Sequence, residues 1–345
     1  MKILSISYAL PSLKVSNEEL IARVVERNKN SLSSKELQKL VEKMKRFFKM
    51  SGTMVRYHRK IGERALDFAL QAGNKAMEKA GVKREDVDLL IYAGVGRGWM
   101  EPATANLFQS ELGLKSATCF DVLDACASWI RSLDIAKAFL SQKVYKLIMV
   151  LNCEFNFNEY ANFDIKNSDE LENSFSAFTI GEAATATILT ASDSEDDSHF
   201  SFKTWGEKAG LCKIPLPNAA EFTPTNEMNG VRPMSFFTVP GELLTFTIRK
   251  LVGHARGCRP LATRVHDILI GHAVNVPTTR KVVELLNIDQ NIVFETHPRF
   301  GNTVSAALPL AMAVAEAEGR LVRGMRVLML MGSAGVSTAV GSFTY

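Results

Sequence analysis

The sequence is poor in the features that mark several large protein classes. Its five cysteines, among 345 residues, form no C-x-x-C pair and no Cys/His pattern with metal-ligand spacing. A disulfide framework and a zinc site are therefore not expected, no metal or other cofactor is predicted, and free thiols suit the reducing cytoplasm. The cysteines are Cys119, Cys126, Cys153, Cys212 and Cys258.

An excess of one charge and long apolar runs are also missing. Lys plus Arg number 41 against 37 Asp plus Glu, a net charge of +4 without a basic run, so no nucleic-acid partner is expected. A local basic patch for an acidic partner stays possible. With 46% apolar residues and a mean hydropathy of +0.01, the chain is typical of soluble globular proteins without a membrane span. The start, MKILSISYALPS, predicts a first or edge strand rather than a signal peptide.

Short apolar runs alternate with helical periodicities, which indicates an α/β fold. Helices are predicted within 15–50 and over 61–79, 126–140 and 303–317. A polar, acidic stretch at 192–198 is typical of a surface loop or linker. Runs typical of strands lie at 88–94, 118–123, 145–151, 184–190, 267–271, 293–296 and 326–331.

The second half of the chain repeats the order of the first. Strand 267–271 corresponds to strand 88–94, and the strand–turn–helix–strand around Asn302 corresponds to the one around Cys126. We interpret this as an internal duplication, with one half over 1–192 and the other over 199–345. Chance similarity between two α/β segments is the alternative.

Three side chains that can carry chemistry follow strand ends. Cys126 follows a strand between two alanines and opens a helix, whose positive end would lower the pKa of the thiol. His272 ends one strand, and Asn302 lies between another strand and a helix. Each alone is more often structural, and a free cysteine is usually buried and inert. Together, a nucleophile, an imidazole and an amide form a coherent set for thioester chemistry.

Several segments resemble the β-ketoacyl synthase III-type condensing enzymes of the thiolase fold. FDVLDACASWIRSLDIA resembles their nucleophile segment, GHAVN their His-Gln-Ala-Asn motif, and RFGNTVSAALPLAM their Gly-Asn-Thr-Ser-Ala-Ala segment. SGTMVRYHR and MGSAGVSTAVGSF are similar to their Thr-Gly-Ile motif and closing glycine-rich loop. The resemblance runs along essentially the whole chain. It implies a duplicated five-layered αβαβα fold with two mixed sheets.

The resemblance departs from the family pattern at three places. Ala273 and Val274 replace the Gln of His-Gln-Ala-Asn, and Ser333 and Ala334 stand in the closing loop in place of consecutive glycines. The Gly-Asp-Gly-Ala-Gly segment has become Gly-Glu-Ala-Ala-Thr at 181–185. These changes weaken an assignment to housekeeping fatty-acid initiation, although none removes a side chain of the expected set.

One position indicates a particular branch. Glu101, 25 residues before Cys126, stands where initiation enzymes carry an apolar residue that the partner subunit inserts into the acyl pocket. A Glu before Pro resembles the olefin-pathway enzymes that join two long acyl chains, and related pyrone and dialkylresorcinol synthases. There a partner-supplied Glu is thought to be the base. A solvated loop residue is the alternative.

The resemblance implies an enzyme that acylates Cys126 from acyl-CoA or acyl carrier protein and then performs a Claisen condensation. His272 and Asn302 would hold the second thioester, and the backbone N–H groups of Cys126 and Ala334 would form the oxyanion hole. It also implies a homodimer in fatty-acid-derived or polyketide metabolism. Arg56 and Arg59, near the CoA nucleotide, are anion-binding candidates. A basic group beside the His272 strand is a candidate patch for an acidic carrier protein, with solvated surface charge as the alternative: Arg249, Lys250, Arg256, Arg259, Arg280 and Lys281.

Rival functions and misleading motifs remain. The rivals are a same-fold acyltransferase to an oxygen or nitrogen nucleophile, a silent subunit of a heterodimeric synthase, and a plain binding protein. Gly94–Gly98 looks like a phosphate loop but lacks the G-x-G-x-x-G spacing. His297 is expected to lie behind the site or on the surface, and Glu182 to serve a turn.

Overall fold

The computed structural model of the protein describes residues 1–192, 196–224, 231–272 and 274–345. The helices are α1 Asn17–Asn28, α2 Ser34–Ser51, α3 Ala65–Ala80, α4 Thr104–Glu111, α5 Ser128–Ser141, α6 Phe157–Tyr160, α7 Leu171–Ser174, α8 Pro240–Arg256, α9 Arg259–Thr263, α10 Val276–Leu285, α11 His297–Phe300 and α12 Ala307–Ala317. The strands are β1 Lys2–Ala9, β2 Leu13–Ser16, β3 Val55–His58, β4 Leu89–Ala93, β5 Thr118–Val122, β6 Leu147–Glu154, β7 Ala183–Thr190, β8 His199–Thr204, β9 Cys212–Lys213, β10 Phe237–Thr238, β11 Ile268–Gly271, β12 Val293–Phe294, β13 Arg326–Ser333 and β14 Ser337–Thr344.

Two five-stranded mixed sheets have the same order and directions. The first runs β1-β7-β6-β4-β5, and the second runs β8-β14-β13-β11-β12. In each, the first three strands are antiparallel neighbours and the last three are parallel. The predicted strands are all present, and the first lies at a sheet edge. The stretch 193–195 of the acidic linker lies outside the described residues, and the boundaries 1–192 and 199–345 stay a prediction.

The layers follow from which faces are apolar. One core cluster joins inward-facing residues of both sheets to α5 and α12, so these two helices form the middle layer. A second cluster packs α3 and α4 on the outer face of the first sheet, and another packs α8 and α10 on the second. Alanines along α12 allow close packing between the sheets. The predicted α/β fold with five layers and two mixed sheets is therefore confirmed.

The N-terminal helices lie apart from the sheets. Ser16 caps α1 in a capping box with Glu19, and Ser33 caps α2. Their apolar faces pack on segment 157–180 in a separate cluster. At Gly52, where α2 ends with φ +74°, a Cβ would lie 2.6 Å from Val276 Cγ2, so the end of α2 lies against the start of α10. Within the described ranges, no helix is long and apolar enough to cross a membrane.

Candidate active site

Cys126 lies on a tight turn between β5 and α5. A short 3-10 turn, Ala125–Ala127, precedes the helix, and Ala125 has a φ of +46°. Ser128 braces this turn, because its hydroxyl donates to the Ala125 carbonyl at 2.7 Å and accepts from the Asp124 N–H at 2.8 Å. The half-buried thiol therefore has a fixed position just before the amino end of α5.

The second half of the chain repeats this turn before α12. Val304 has a φ of +52° and begins the 3-10 turn Val304–Ala306, so Ser305 stands where the first half has Cys126. The buried Ser305 hydroxyl is held by Glu154 and by the Asn152 side chain, whose Nδ2 donates to it at 3.0 Å. The hydrogen-bonding capacity of Ser305 is therefore used inside the protein. Of the two equivalent side chains, Cys126 is the candidate nucleophile.

His272 follows β11 directly, and its backbone N–H donates to the Leu330 carbonyl of β13 at 3.0 Å. Its ring is buried, and neither ring nitrogen has a hydrogen-bond partner among the described residues. Burial, with a smaller contribution from His297, lowers the pKa of His272 to about 4. The imidazole is therefore neutral at pH 7 and can bond to a ligand.

Asn302 is fixed by hydrogen bonds on both sides. Its backbone N–H donates to the Thr179 carbonyl at 2.9 Å, and its carbonyl accepts from the Gly181 N–H at 3.1 Å. The side-chain Oδ1 accepts from the Val304 N–H at 2.9 Å. Because Oδ1 is occupied, the Nδ2 hydrogens are the group that the amide offers to a ligand oxygen.

One cavity of about 1280 Å³ has Cys126, His272, Asn302 and Ala334 on its wall. Beside Ala334, Ser333 accepts from the Ala127 N–H and donates to the Asp124 carbonyl, both at 3.2 Å, which ties the closing loop to the cysteine turn. Most of the remaining wall is aliphatic or aromatic, with contributions from α8 and from Phe157, Phe175 and Phe236. The structure thus brings together the thiol, the imidazole, the amide and both predicted oxyanion-hole residues. The roles of these residues remain predictions.

The structure does not bring the other predicted site residues to this cavity. Arg56 is buried, with one nitrogen 2.6 Å from Asn17 Oδ1 and its guanidinium over the Phe48 ring. Arg59 donates from its side chain to the Phe155 carbonyl and lies 3.6 Å from the buried Glu182 carboxylate. Both guanidinium groups thus make contacts inside the protein and lie off the cavity wall, and a nucleotide-binding role for these two arginines stays a prediction.

Two more predicted residues lie outside the cavity wall of their own chain. Glu101 is exposed, on the loop before α4. Arg280 is exposed on α10, next to Lys281, which does reach the cavity. The departure at Ala273 lies outside the described residues. Access of Glu101 to a cavity thus requires another chain or a movement of the loop.

The thiol of Cys126 is less acidic than its helix position predicts. Burial raises its pKa well above the usual value, and the nearby Cys212 and Glu154 raise it further. The predicted lowering by the helix dipole is therefore wrong for the free protein, because removal of water from the apolar cavity outweighs the helix field. The resting pair is a neutral thiol and a neutral imidazole.

We expect the rate of Cys126 alkylation by iodoacetamide to rise about tenfold per pH unit between about pH 7 and pH 9. Only the thiolate reacts, and a raised pKa keeps its fraction small and proportional to hydroxide across this range. Peptide mapping by mass spectrometry separates Cys126 from the other four cysteines. A rate that is already constant from pH 7 upward would show a thiolate preformed by the helix.

Glu154 is a residue of the cavity wall that the sequence did not reveal. Its buried carboxylate accepts from the Val95 N–H at 3.0 Å and the Gly96 N–H at 2.8 Å, and from the Ser305 hydroxyl. A Cβ at Gly94 would lie 2.7 Å from the Glu154 carboxylate. The apparent phosphate loop thus wraps an internal carboxylate, and burial raises the pKa of that carboxyl. No local sequence pattern indicates it, because its partners are 58 to 151 residues away.

His297 and Glu182 lie where the sequence predicts, whereas Cys212 lies on the wall of the site. The sequence assigns no role to Cys212, but β9 brings it to the same cavity wall, where burial raises its pKa to about 12. His297 is buried behind the site, with Nε2 2.7 Å from the Thr53 hydroxyl. Glu182 accepts from the Arg59 N–H at 2.6 Å, so it anchors β3 to the turn before β7.

The duplicated mixed sheets, with a cysteine before one central helix and an asparagine before the other, define a thiolase-fold protein. The family profile described as 3-Oxoacyl-[acyl-carrier-protein (ACP)] synthase III matches residues 120–206, and the profile of its C-terminal part matches residues 261–345. The beta-ketoacyl-[acyl-carrier-protein] synthase III of Symbiobacterium thermophilum is 29% identical over 281 residues, covering 79% of this chain and 81% of the relative. That of Clostridium perfringens is 26% identical over 328 residues, covering 92% and 95%.

Solved structures agree on the fold. OleA of Xanthomonas campestris, in a crystal structure with bound lauric acid and lauroyl-CoA, superposes with a TM-score of 0.81 at 21% identity, covering 99% of this chain and 98% of that one. The 3-oxoacyl-[acyl-carrier-protein] synthase III of Aquifex aeolicus gives 0.79 at 23% identity, covering 100% and 99%. The chain belongs to the β-ketoacyl synthase III-type condensing enzymes of the thiolase fold.

Proposed function

We propose that this chain takes an acyl group from an acyl thioester onto Cys126 and joins it to a second thioester by Claisen condensation. The observation that carries the proposal is one apolar cavity whose wall holds a thiol, an amide donor and a neutral imidazole without a hydrogen-bond partner among the described residues. The five free cysteines suit a cytoplasmic enzyme. The substrates are CoA or phosphopantetheine thioesters, without a further cofactor.

In the first half-reaction, the Cys126 sulfur attacks the thioester carbonyl. The bond from carbon to the leaving sulfur breaks, and the thiol proton ends on the released CoA or carrier thiol. The backbone N–H groups of Cys126 and Ala334 would hold the oxyanion, and one such donor is worth about 3 kcal/mol in comparable sites. This task needs backbone rather than side chain, so Ala334 can replace a glycine.

In the second half-reaction, His272 and Asn302 Nδ2 donate hydrogen bonds to the carbonyl oxygen of the second thioester. The enolate forms either by loss of CO₂ from a malonyl unit or by removal of an α-proton. Its carbon attacks the Cys126 thioester, the bond from carbon to the Cys126 sulfur breaks, and a β-ketoacyl product forms. The expelled thiolate takes back the proton removed from the α-carbon, or takes one from solvent after loss of CO₂. The neutral state of His272 favours a hydrogen-bonding role over that of a cationic acid.

Asn302→Asp should lower condensation about 10²- to 10³-fold and leave acylation of Cys126 within a few-fold of the wild type. The aspartate keeps the acceptor for the Val304 N–H and removes the Nδ2 donor, so the turn is preserved while the enolate loses support. Single-turnover assays that follow the acyl adduct and the product separately would measure both effects. An equal loss in both steps would contradict an enolate role.

The cavity also indicates the substrate class. Its volume exceeds the range usual for small-ligand sites, and its wall is mostly apolar, so it suits long acyl chains. Arg46, Lys49, Lys213 and Lys281 lie on the wall and are suited to the phosphates of CoA or a phosphopantetheine arm. These residues join Arg56 and Arg59 as our anion-binding candidates.

A homodimer is part of the proposal. β5 is an edge strand of its sheet, and Trp99, Met100 and Leu123 expose large apolar surfaces beside it. Glu101 is exposed on the same loop, where a second copy would cover it. Association through this edge would bring Glu101 toward the partner's cavity, where apolar surroundings would suit a base.

Product analysis with acyl-CoA and malonyl-CoA, singly and together, tests the proposal. We expect a new carbon–carbon bond and a β-ketoacyl product whenever a competent second thioester is present. Acyl transfer to an alcohol or amine without a new carbon–carbon bond would favour the acyltransferase alternative. Turnover only after addition of a homologous subunit would favour a silent partner of a heterodimer.

A further inference from the structure

The cavity opens between the end of α2, the start of α10 and the segment after β9. Arg46, Lys49 and Met50 of α2 reach its wall, as do Lys213 of β9, Ile214 after it and Lys281 of α10. Met234 is joined to the segment after β9, because its N–H donates to the Pro215 carbonyl at 2.7 Å. We call the following group the entrance rim: Lys45, Arg46, Lys49, Met50, Met54, Lys213, Leu216, Phe222, Met234 and Lys281.

The rim exposes apolar side chains to an unusual degree. Phe222 is 81% exposed, Met54 65% and Met50 61%, and Leu216 and Met234 are also exposed. Scattered exposed apolar residues are ordinary, but these five belong to segments that border one opening. Met50 is itself a wall residue, and the other four lie within eight positions in the sequence of the wall residues Ser51, Ile214 and Phe236.

The rim is also basic. Lys45, Arg46 and Lys49 are exposed on α2, and among the described residues none has a carboxylate within ion-pair distance. Glu172, on the cavity wall, lies 3.9 Å from Lys43, and Glu221 is exposed beside Phe222. Lys281 is paired with Glu284 at 2.9 Å, so the positive charge of the rim is carried by Lys45, Arg46 and Lys49 of α2.

Exposed methionine and phenylalanine between lysines match the boundary of a lipid bilayer. Anionic headgroups attract lysine and arginine, and the acyl boundary beneath them accepts apolar side chains. An acidic carrier protein would satisfy the charges but would give the protruding apolar groups less to gain. We propose that the entrance rim docks on an anionic lipid bilayer. The purpose of docking, release of a long-chain product into lipid, rests on the proposed function, whereas docking itself does not.

Vesicle co-sedimentation with the full chain tests this proposal. We expect binding to vesicles of phosphatidylcholine with phosphatidylglycerol and little to phosphatidylcholine alone. Raising the salt from about 0.05 M to about 0.5 M should weaken binding about tenfold or more, because exposed charges are screened. Lack of binding to anionic vesicles at low salt, or equal binding to both vesicle types, would overturn the proposal.

Two variants and a matched control locate the surface. Lys45→Glu with Lys49→Glu, and separately Met50→Ser with Phe222→Ser, should each lower vesicle binding about tenfold or more. Lys35→Glu with Lys39→Glu makes the same charge change at the other end of α2, about 15 Å away, and should leave binding within twofold. An equal loss of vesicle binding in the control would mean that the attraction is non-specific and would contradict docking through the entrance rim.

Two further measurements separate the outcomes. Binding of a holo carrier protein is measured with and without vesicles. If Lys45→Glu with Lys49→Glu weakens that binding and vesicles do not compete with it, the partner of the rim is a protein and the bilayer proposal is overturned. Acylation of Cys126 by a short, soluble acyl-CoA is followed in the wild-type chain, because Lys49 is also a candidate for binding the CoA phosphates, and thermal unfolding is followed in every sample. Normal acylation and folding with failed docking contradict only this inference, whereas failed acylation with intact docking contradicts only the proposed function.

Discussion

Cys126→Ala is expected to abolish the acyl adduct and to lower condensation at least about 10³-fold, because the proposed thioester intermediate forms on the Cys126 sulfur. Ser305, which occupies the equivalent turn in the second half, is buried and bonded to Glu154 and Asn152. Peptide mapping after incubation with an acyl-CoA would locate the adduct. The small side chain leaves the turn around Ser128 intact.

Cys212→Ala is the matched control for this experiment. Cys212 lies on the same cavity wall and loses the same atoms, but it is on β9 rather than before a central helix. The adduct on Cys126 should remain and condensation should change less than about threefold. An adduct on Cys212 that supports condensation when Cys126 is absent would contradict the assignment of the nucleophile.

Glu101→Ala should leave acylation of Cys126 intact and lower the condensation of two simple acyl-CoAs about 10²- to 10⁴-fold, the usual range for a general base. With a malonyl thioester, loss of CO₂ supplies the enolate, so the same variant should keep most of its activity. Glu111→Ala is the control, because it removes the same side chain at the exposed end of α4 and should leave condensation unchanged. Unchanged condensation of two acyl-CoAs in Glu101→Ala would refute the base role.

Mixed dimers test from which chain Glu101 acts. Glu101 is exposed and absent from the cavity wall of its own chain. If it acts on the partner, a mixture of Cys126→Ala and Glu101→Ala chains contains sites with both groups, at about a quarter of the wild-type number. Activity should return to about that level on mixing. No recovery, with exchange of subunits shown by mass spectrometry, would contradict action across a dimer.

Much of the architecture could be predicted because it is local or repeated. Continuous apolar runs indicated β4 and β13 within a few residues, since strands buried on both faces need such runs. The repeated strand–turn–helix–strand order around Cys126 and Asn302 indicated the duplicated layers, although the residue equivalent to Cys126 is Ser305. The helix boundaries differed from the prediction where the backbone has a positive φ. At Ala125 this conformation makes the expected first helical residues a 3-10 turn.

The properties that could not be predicted from the sequence depend on contacts between distant parts of the chain. The pKa of Cys126 is set by a cavity that α2, α8 and the segment after β9 complete, so a local helix argument gave the wrong direction. Arg56 and Arg59 lie in a recognisable motif, but the motif does not reveal that their guanidinium groups point into the protein. No sequence pattern marks Glu154, because its carboxylate is held by hydrogen bonds from Gly96 and Ser305, which are distant in the sequence.

The central claim is that one thiol carries an acyl group that a second thioester then captures. Intact-protein mass spectrometry tests it in a single turnover, with the enzyme first loaded from an isotopically labelled acyl-CoA and freed of excess reagent. We predict a mass increase of one acyl group on Cys126, and its loss on addition of the second thioester in step with a labelled β-ketoacyl product. A stable adduct that the second thioester does not discharge, or a labelled product formed without any adduct, would contradict the account.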